Sequence, residues 1–139
     1  MIAGLWTYRS YFNDPALVDG DPAKALALIF GEGVFSFETP TPETVTVTGT
    51  LDMGGGYVLD LEGEIATSAN EPVVLVINGY GRDGTPTAGW EYDYHCWPGY
   101  AWPDGVDQVP SLVGTVVRAQ PHNGEPAGVV ASFIAVSQS

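Results

Sequence analysis

The sequence predicts an all-β protein: an eight-stranded antiparallel up-and-down β-barrel with one short helix between the first two strands. Three observations predict it. Stretches rich in Thr, Val, Tyr and Trp recur along the 139 residues, separated by clusters of Gly, Pro, Asn or Asp. Two of these stretches alternate: Tyr57, Leu59 and Leu61 oppose Asp60, Glu62 and Glu64, while Trp90, Tyr92 and Tyr94 oppose Glu91, Asp93 and His95. Each therefore has one dry face and one wet face. The connections are mostly short, which suits strands paired with their sequence neighbours, and closure removes the unpaired edges that invite aggregation. A two-sheet sandwich is the competing architecture.

In chain order the strands are expected at 4–12, 33–39, 44–52, 56–65, 73–79, 88–96, 111–120 and 127–137. Between the first two lies GDPAKALALIFGEG, where Asp21 can cap, Pro22 suits the first turn, Ala and Leu favour helix and Gly31 can end it. A helix over 22–30 would put Leu26, Ile29 and Phe30 on one face and lie across the barrel as a lid. Hairpin-like turns follow at DMGGGY, GYGRDGTP and PHNGEP. The last two strands, LVGTVVRA and GVVASFIAV, are apolar on both faces, and a subunit contact covering their outer side would account for that. No linker or repeat interrupts the chain, so residues 1–139 are expected to form one barrel domain. With 45% hydrophobic residues it can bury a core without disulfide or metal staples.

Charge narrows the partners. The formal net charge is -13, and Arg9, Lys24, Arg82 and Arg118 are the four cations, too few to neutralise a row of phosphates or hold an anionic bilayer. Neither nucleic acid nor membrane is an expected partner. The single Cys96, and the opening MIAGLWTYRS without a basic n-region or long apolar h-region, lead us to expect a cytoplasmic protein. Apolar runs such as VVLVI are too short to span a bilayer as a helix.

The segment WEYDYHCWPGYAW concentrates six aromatic rings between residues 90 and 102. Trp90, Tyr92 and Tyr94 should face the barrel interior, together with Tyr57, Tyr8 and Phe35 from other strands. Two readings stand side by side: these six residues wall a pocket, or they fill the core. Trp97, Tyr100 and Trp102 fall in a loop, 97–110, that strand alternation puts near Trp6. There they either plug the barrel floor or frame a mouth.

Other motifs read as structure. GYGRDG matches a dinucleotide fingerprint in spelling, but a strand, not a helix, follows it, so its glycines serve a hairpin. MGGGY is a rim turn. His95 points outward, His122 sits in a solvated hairpin, and Cys96 is a buried thiol with no activating base on its face. Their spacing makes no zinc set, and no metal or cofactor is expected. Haem ligation by His95 or His122 is the exception worth carrying. Glu91 and Asp93 are solvated acids, Arg9 an outer-face charge and Arg82 a rim residue able to meet an anionic ligand.

The stretch Gly4, Leu5, Trp6 opening the first strand, with Arg118 on the seventh, resembles the calycin superfamily of lipocalin, avidin and fatty-acid-binding barrels. That resemblance implies that Arg118 packs on Trp6 and closes the barrel floor with Gly4. In size the chain is similar to the short bacterial barrels related to allene oxide cyclase. The function expected from these readings is binding of a small apolar or aromatic molecule inside the barrel. The alternative is a cofactor-free cyclase, isomerase or lyase working in the same cavity.

Overall fold

The computed structural model describes residues 2–39, 46–68 and 71–138, and these form a closed barrel in which each strand pairs antiparallel with its sequence neighbours. The strands are β1 (Gly4–Phe12), β2 (Ile29–Phe37), β3 (Thr46–Asp52), β4 (Val58–Ser68), β5 (Glu71–Gly81), β6 (Glu91–Pro98), β7 (Ser111–Arg118) and β8 (Val130–Ser137). β8 returns to β1, with Trp6 opposite Ser137 and Phe12 opposite Ala131, so no edge is left open. The up-and-down barrel is the architecture observed, and the sandwich is not. Positions 44 and 45 of the third expected strand lie outside the described residues. No helix among the described residues is long and apolar enough to cross a membrane.

Up-and-down connectivity fixes the two ends. β1 and β7 both run from an end marked by Trp6 to an end marked by His122. At the Trp6 end, alternation turns Trp6, Phe37, Val47, Leu75, Cys96 and Leu112 inward, and all six are buried. One layer deeper, Tyr8, Phe35, Tyr94 and Phe133 meet ring to ring, with Tyr8 and Phe35 centroids 4.8 Å apart and Phe35 and Phe37 stacked at 5.1 Å. Burying each such ring is worth about 1.5–3 kcal/mol, so this half supplies much of the barrel's stability. Neighbouring strands approach closely at Gly49 and Gly114, where a β-carbon would run into the carbonyl oxygens of Ser36 and His95. Glycine at these inward positions lets the sheet curl into a small barrel.

The segment between β1 and β2 departs from the expected helix over 22–30. It forms two short 3-10 helices, Pro15–Leu17 and Pro22–Leu28, whose preceding Asp14 and Asp21 carboxylates accept from the backbone N–H of Ala16 and Ala23. Ile29 and Phe30 are already extended in β2, where Ile29 lies opposite Tyr11 across a register shift and the Phe30 ring packs against Phe12 and Tyr92. With no buried residue and Leu26 71% exposed, the Pro22–Leu28 helix has no apolar face to lay across the barrel. Outside, Trp97, Val113 and Ile134 form one row across β6, β7 and β8, with Val113 and Ile134 exposed.

Candidate functional site

At the His122 end the interior is hollow. A cavity of about 520 Å³ opens there, lined chiefly by Tyr8, Ser10, Phe30, Gly31, Tyr57, Trp90, Tyr92, Tyr94, Arg118 and His122. Small residues create it. Ser10 on β1 faces Gly31 on β2, and a β-carbon added to Gly31 would meet nothing nearer than the Ser10 Oγ at 3.4 Å. Where the other half carries a ring or a branched chain, this layer leaves space.

Three local devices position the wall. The turn His122–Glu125 closes with paired backbone hydrogen bonds across Asn123 and Gly124, both at positive φ, the geometry an Asn-Gly pair adopts in a tight hairpin. It folds His122 back over the barrel mouth. Thr87, fully buried, donates its hydroxyl to the Val58 carbonyl at 2.8 Å, and its own carbonyl accepts from Trp90 N–H at 2.9 Å, fixing the loop that presents Trp90. His122 and Trp90 then stack, centroids 3.7 Å apart and planes 15° from parallel, with Tyr57 tilted against Trp90 at 5.8 Å. Strand alternation does the rest, aiming Tyr92 and Tyr94 inward from β6.

A chain of polar groups runs along the mouth. Arg118 Nε donates to the Tyr92 hydroxyl at 3.0 Å, so Tyr92 directs its proton to His122 Nε2 at 2.5 Å. That leaves the imidazole proton on Nδ1, which donates to Asn123 Oδ1 at 2.9 Å. Arg118 Nη1 donates to the Pro126 carbonyl at 3.1 Å, and the guanidinium lies against the Phe30 and Tyr92 rings at 5.3 and 5.8 Å. Deeper in, burial holds the Tyr8 and Tyr94 hydroxyls well above the usual phenol range, so both stay protonated donors at the cavity base. The arrangement can stack a planar body, hydrogen-bond a polar end and pass a proton between Tyr92 and His122.

Of the six interior residues read from the sequence, Trp90, Tyr92, Tyr94, Tyr57 and Tyr8 line this cavity. Phe35 does not: it is 1% exposed and packs beneath the cavity against Tyr8 and Tyr94. The expected floor closure by Gly4, Trp6 and Arg118 is also corrected. Arg118 ends β7 at the His122 end, whereas Gly4 and Trp6 begin β1 at the other, where the Trp6 indole donates to the Ile2 carbonyl at 2.7 Å. An up-and-down barrel cannot bring the start of its first strand to the end of its seventh.

The loop after β6 neither plugs the floor nor frames the main opening. Tyr100 and Trp102 are exposed and contact each other edge to face, and Trp97 remains on β6, stacked on His95. A smaller pocket of about 330 Å³ lies between this loop and Trp6. His95 is on the outer face, as expected, but His122 is a half-buried wall residue, not a solvated one. Arg82 is held by Asp60 through three contacts of 2.8–3.0 Å, which depress that carboxyl below its usual range and keep the guanidinium out of the cavity. Glu91 and Asp93 lie on the outer face of β6, where partial desolvation and the neighbouring Asp93 raise the Glu91 carboxyl. Burial pushes the Cys96 thiol up to about 12.

Sequence reasoning missed Phe30, Arg118 and His122 as wall residues. For Arg118 a signal was present, since strand direction alone assigns it to this end. The sequence matches no known protein-family model, and no curated protein or solved structure is detectably similar to it.

Proposed function

We propose that the barrel binds a small, planar, apolar or aromatic molecule in the cavity at its His122 end. The observation that carries this reading is the cavity's construction: about 520 Å³ of space walled by Tyr8, Tyr57, Trp90, Tyr92 and Tyr94, with Ser10, Glu32, Arg118 and His122 as polar lining. Packing the same layer with leucines would stabilise the fold more, so the hollow is retained against a stability cost. Native mass spectrometry of freshly purified protein, with an absorption spectrum and identification of any molecule released on denaturation, tests the reading. A stoichiometric aromatic molecule is the expected result. A visible haem band would reassign the cavity, and a clean apo mass together with failure of every planar probe at millimolar concentration would overturn the proposal.

The hydrogen-bond chain favours a second reading, a cofactor-free isomerase, cyclase or lyase. In it a substrate proton passes to the Tyr92 oxygen as the Tyr92 proton moves to His122 Nε2, with Arg118 steadying the oxygen. Turnover abolished by Tyr92→Phe with substrate binding kept would establish it. The outer row of Trp97, Val113 and Ile134 is the face we assign to self-association; sedimentation velocity showing a monomer for both the native chain and Val113→Glu would remove that assignment.

A further inference from the structure

We infer that the ligand of the cavity is an anion, an aromatic or conjugated carboxylate whose charged group is met by Arg118 at the mouth. This rests on the cavity being a binding site. Arg118 is 94% buried, with 6% of its surface left accessible. Burying a guanidinium costs several kcal/mol unless a counter-charge and hydrogen bonds offset it. The ion pairs among the described residues are Arg9 with Glu32 and Arg82 with Asp60, and Arg118 belongs to neither. Its Nε and Nη1 are engaged by a phenol and a carbonyl, both neutral.

No described acceptor bonds Nη2, and every fully buried polar side-chain atom among the described residues has a partner, so Nη2 retains accessible surface. Arg118 is among the residues that line the cavity. The Phe30 and Tyr92 rings flank the guanidinium at 5.3 and 5.8 Å, and its planar fork of donors suits a carboxylate.

Geometry then sorts the ligand's two parts. The stacked Trp90–His122 wall offers a flat surface to an aromatic body beside the charged edge. Glu32, the carboxylate at the rim, is drawn away by Arg9 at 3.4 Å and leaves the guanidinium uncontested. The chain's net charge of -13 works against anions in general. That repulsion is screened over about 8 Å at physiological salt, whereas a charge pair inside the cavity is not.

The test is titration of the intact chain with 2-naphthoate and its neutral match 2-naphthamide, read by calorimetry and tryptophan fluorescence. The native protein should bind the carboxylate at least tenfold more tightly, a difference of about 1.4 kcal/mol. Arg118→Gln, checked for folding by circular dichroism, should bring the two affinities together. Arg118→Lys, which keeps the charge without the fork, should preserve part of the difference if the glutamine variant does not fold. Equal affinities in the native protein would overturn the anion inference and leave the apolar cavity standing. Failure of both probes to bind at millimolar concentration would count against the cavity reading itself.

Discussion

The two halves of this barrel use the same strands and the same alternation, yet one is solid and the other hollow. Toward Trp6 the inward positions carry Phe37, Val47, Leu75 and Leu112; toward His122 they carry Ser10, Gly31 and Ala131, and the rings move to the rim. Strand geometry makes every inward position available to the core, and residue size decides whether the position is used. The solid half can then hold the fold while the hollow half keeps the space that the proposed binding needs.

If that division is right, removing mass from the solid half should be costly. Phe35→Ala should destabilise the barrel by about 3–5 kcal/mol, since it strips a buried ring from contact with Tyr8, Phe37 and Tyr94. Urea unfolding measures this, and a loss below about 1 kcal/mol would mean the layer is not packed as described. Adding mass where strands touch should hurt somewhat less. Gly114→Ala pushes a β-carbon onto the His95 carbonyl and against Cys96, and about 1–3 kcal/mol is expected by the same assay.

The smallest effect concerns protonation. Cys96, in the solid half, has its thiol raised by burial from about 9 to about 12. Between those values the unfolded chain releases a proton that the folded chain keeps, so folding stability falls as pH rises above about 9 and is unaffected below. Tyr8 and Tyr94 act in the same direction at still higher pH. At pH 8 the thiol should react with a disulfide reagent at less than about a tenth of the rate of the urea-unfolded chain. Equal rates would show that water reaches this layer.

Much of the barrel was legible in the sequence because alternation and turn chemistry are local. Trp90, Tyr92 and Tyr94 announce an inward row, and the Asn-Gly of PHNGEP announces a tight hairpin. The helix over 22–30 failed because helix propensity in seven residues is weaker than the gain from extending Ile29 and Phe30 into β2. Arg118 was assigned to Trp6 by resemblance, against what strand direction requires. The cavity itself was not legible, because Ser10 and Gly31 are small in any sequence and become a hollow only when the register between β1 and β2 sets them side by side. His122 needed the same three-dimensional information: a hairpin turn reveals its shape but not which way it leans.

The division between halves is tested most directly at Gly31, whose backbone φ is not positive and whose added β-carbon would meet the Ser10 Oγ alone, at 3.4 Å. Gly31→Leu should fill the cavity from one wall. The measurement is 2-naphthoate affinity and urea midpoint on the same preparation. We predict at least a tenfold loss of affinity with the midpoint unchanged or raised. A midpoint lowered as far as by Phe35→Ala, or an affinity that does not change, would contradict the account, the first by showing that this end is already packed and the second by showing that the ligand binds elsewhere.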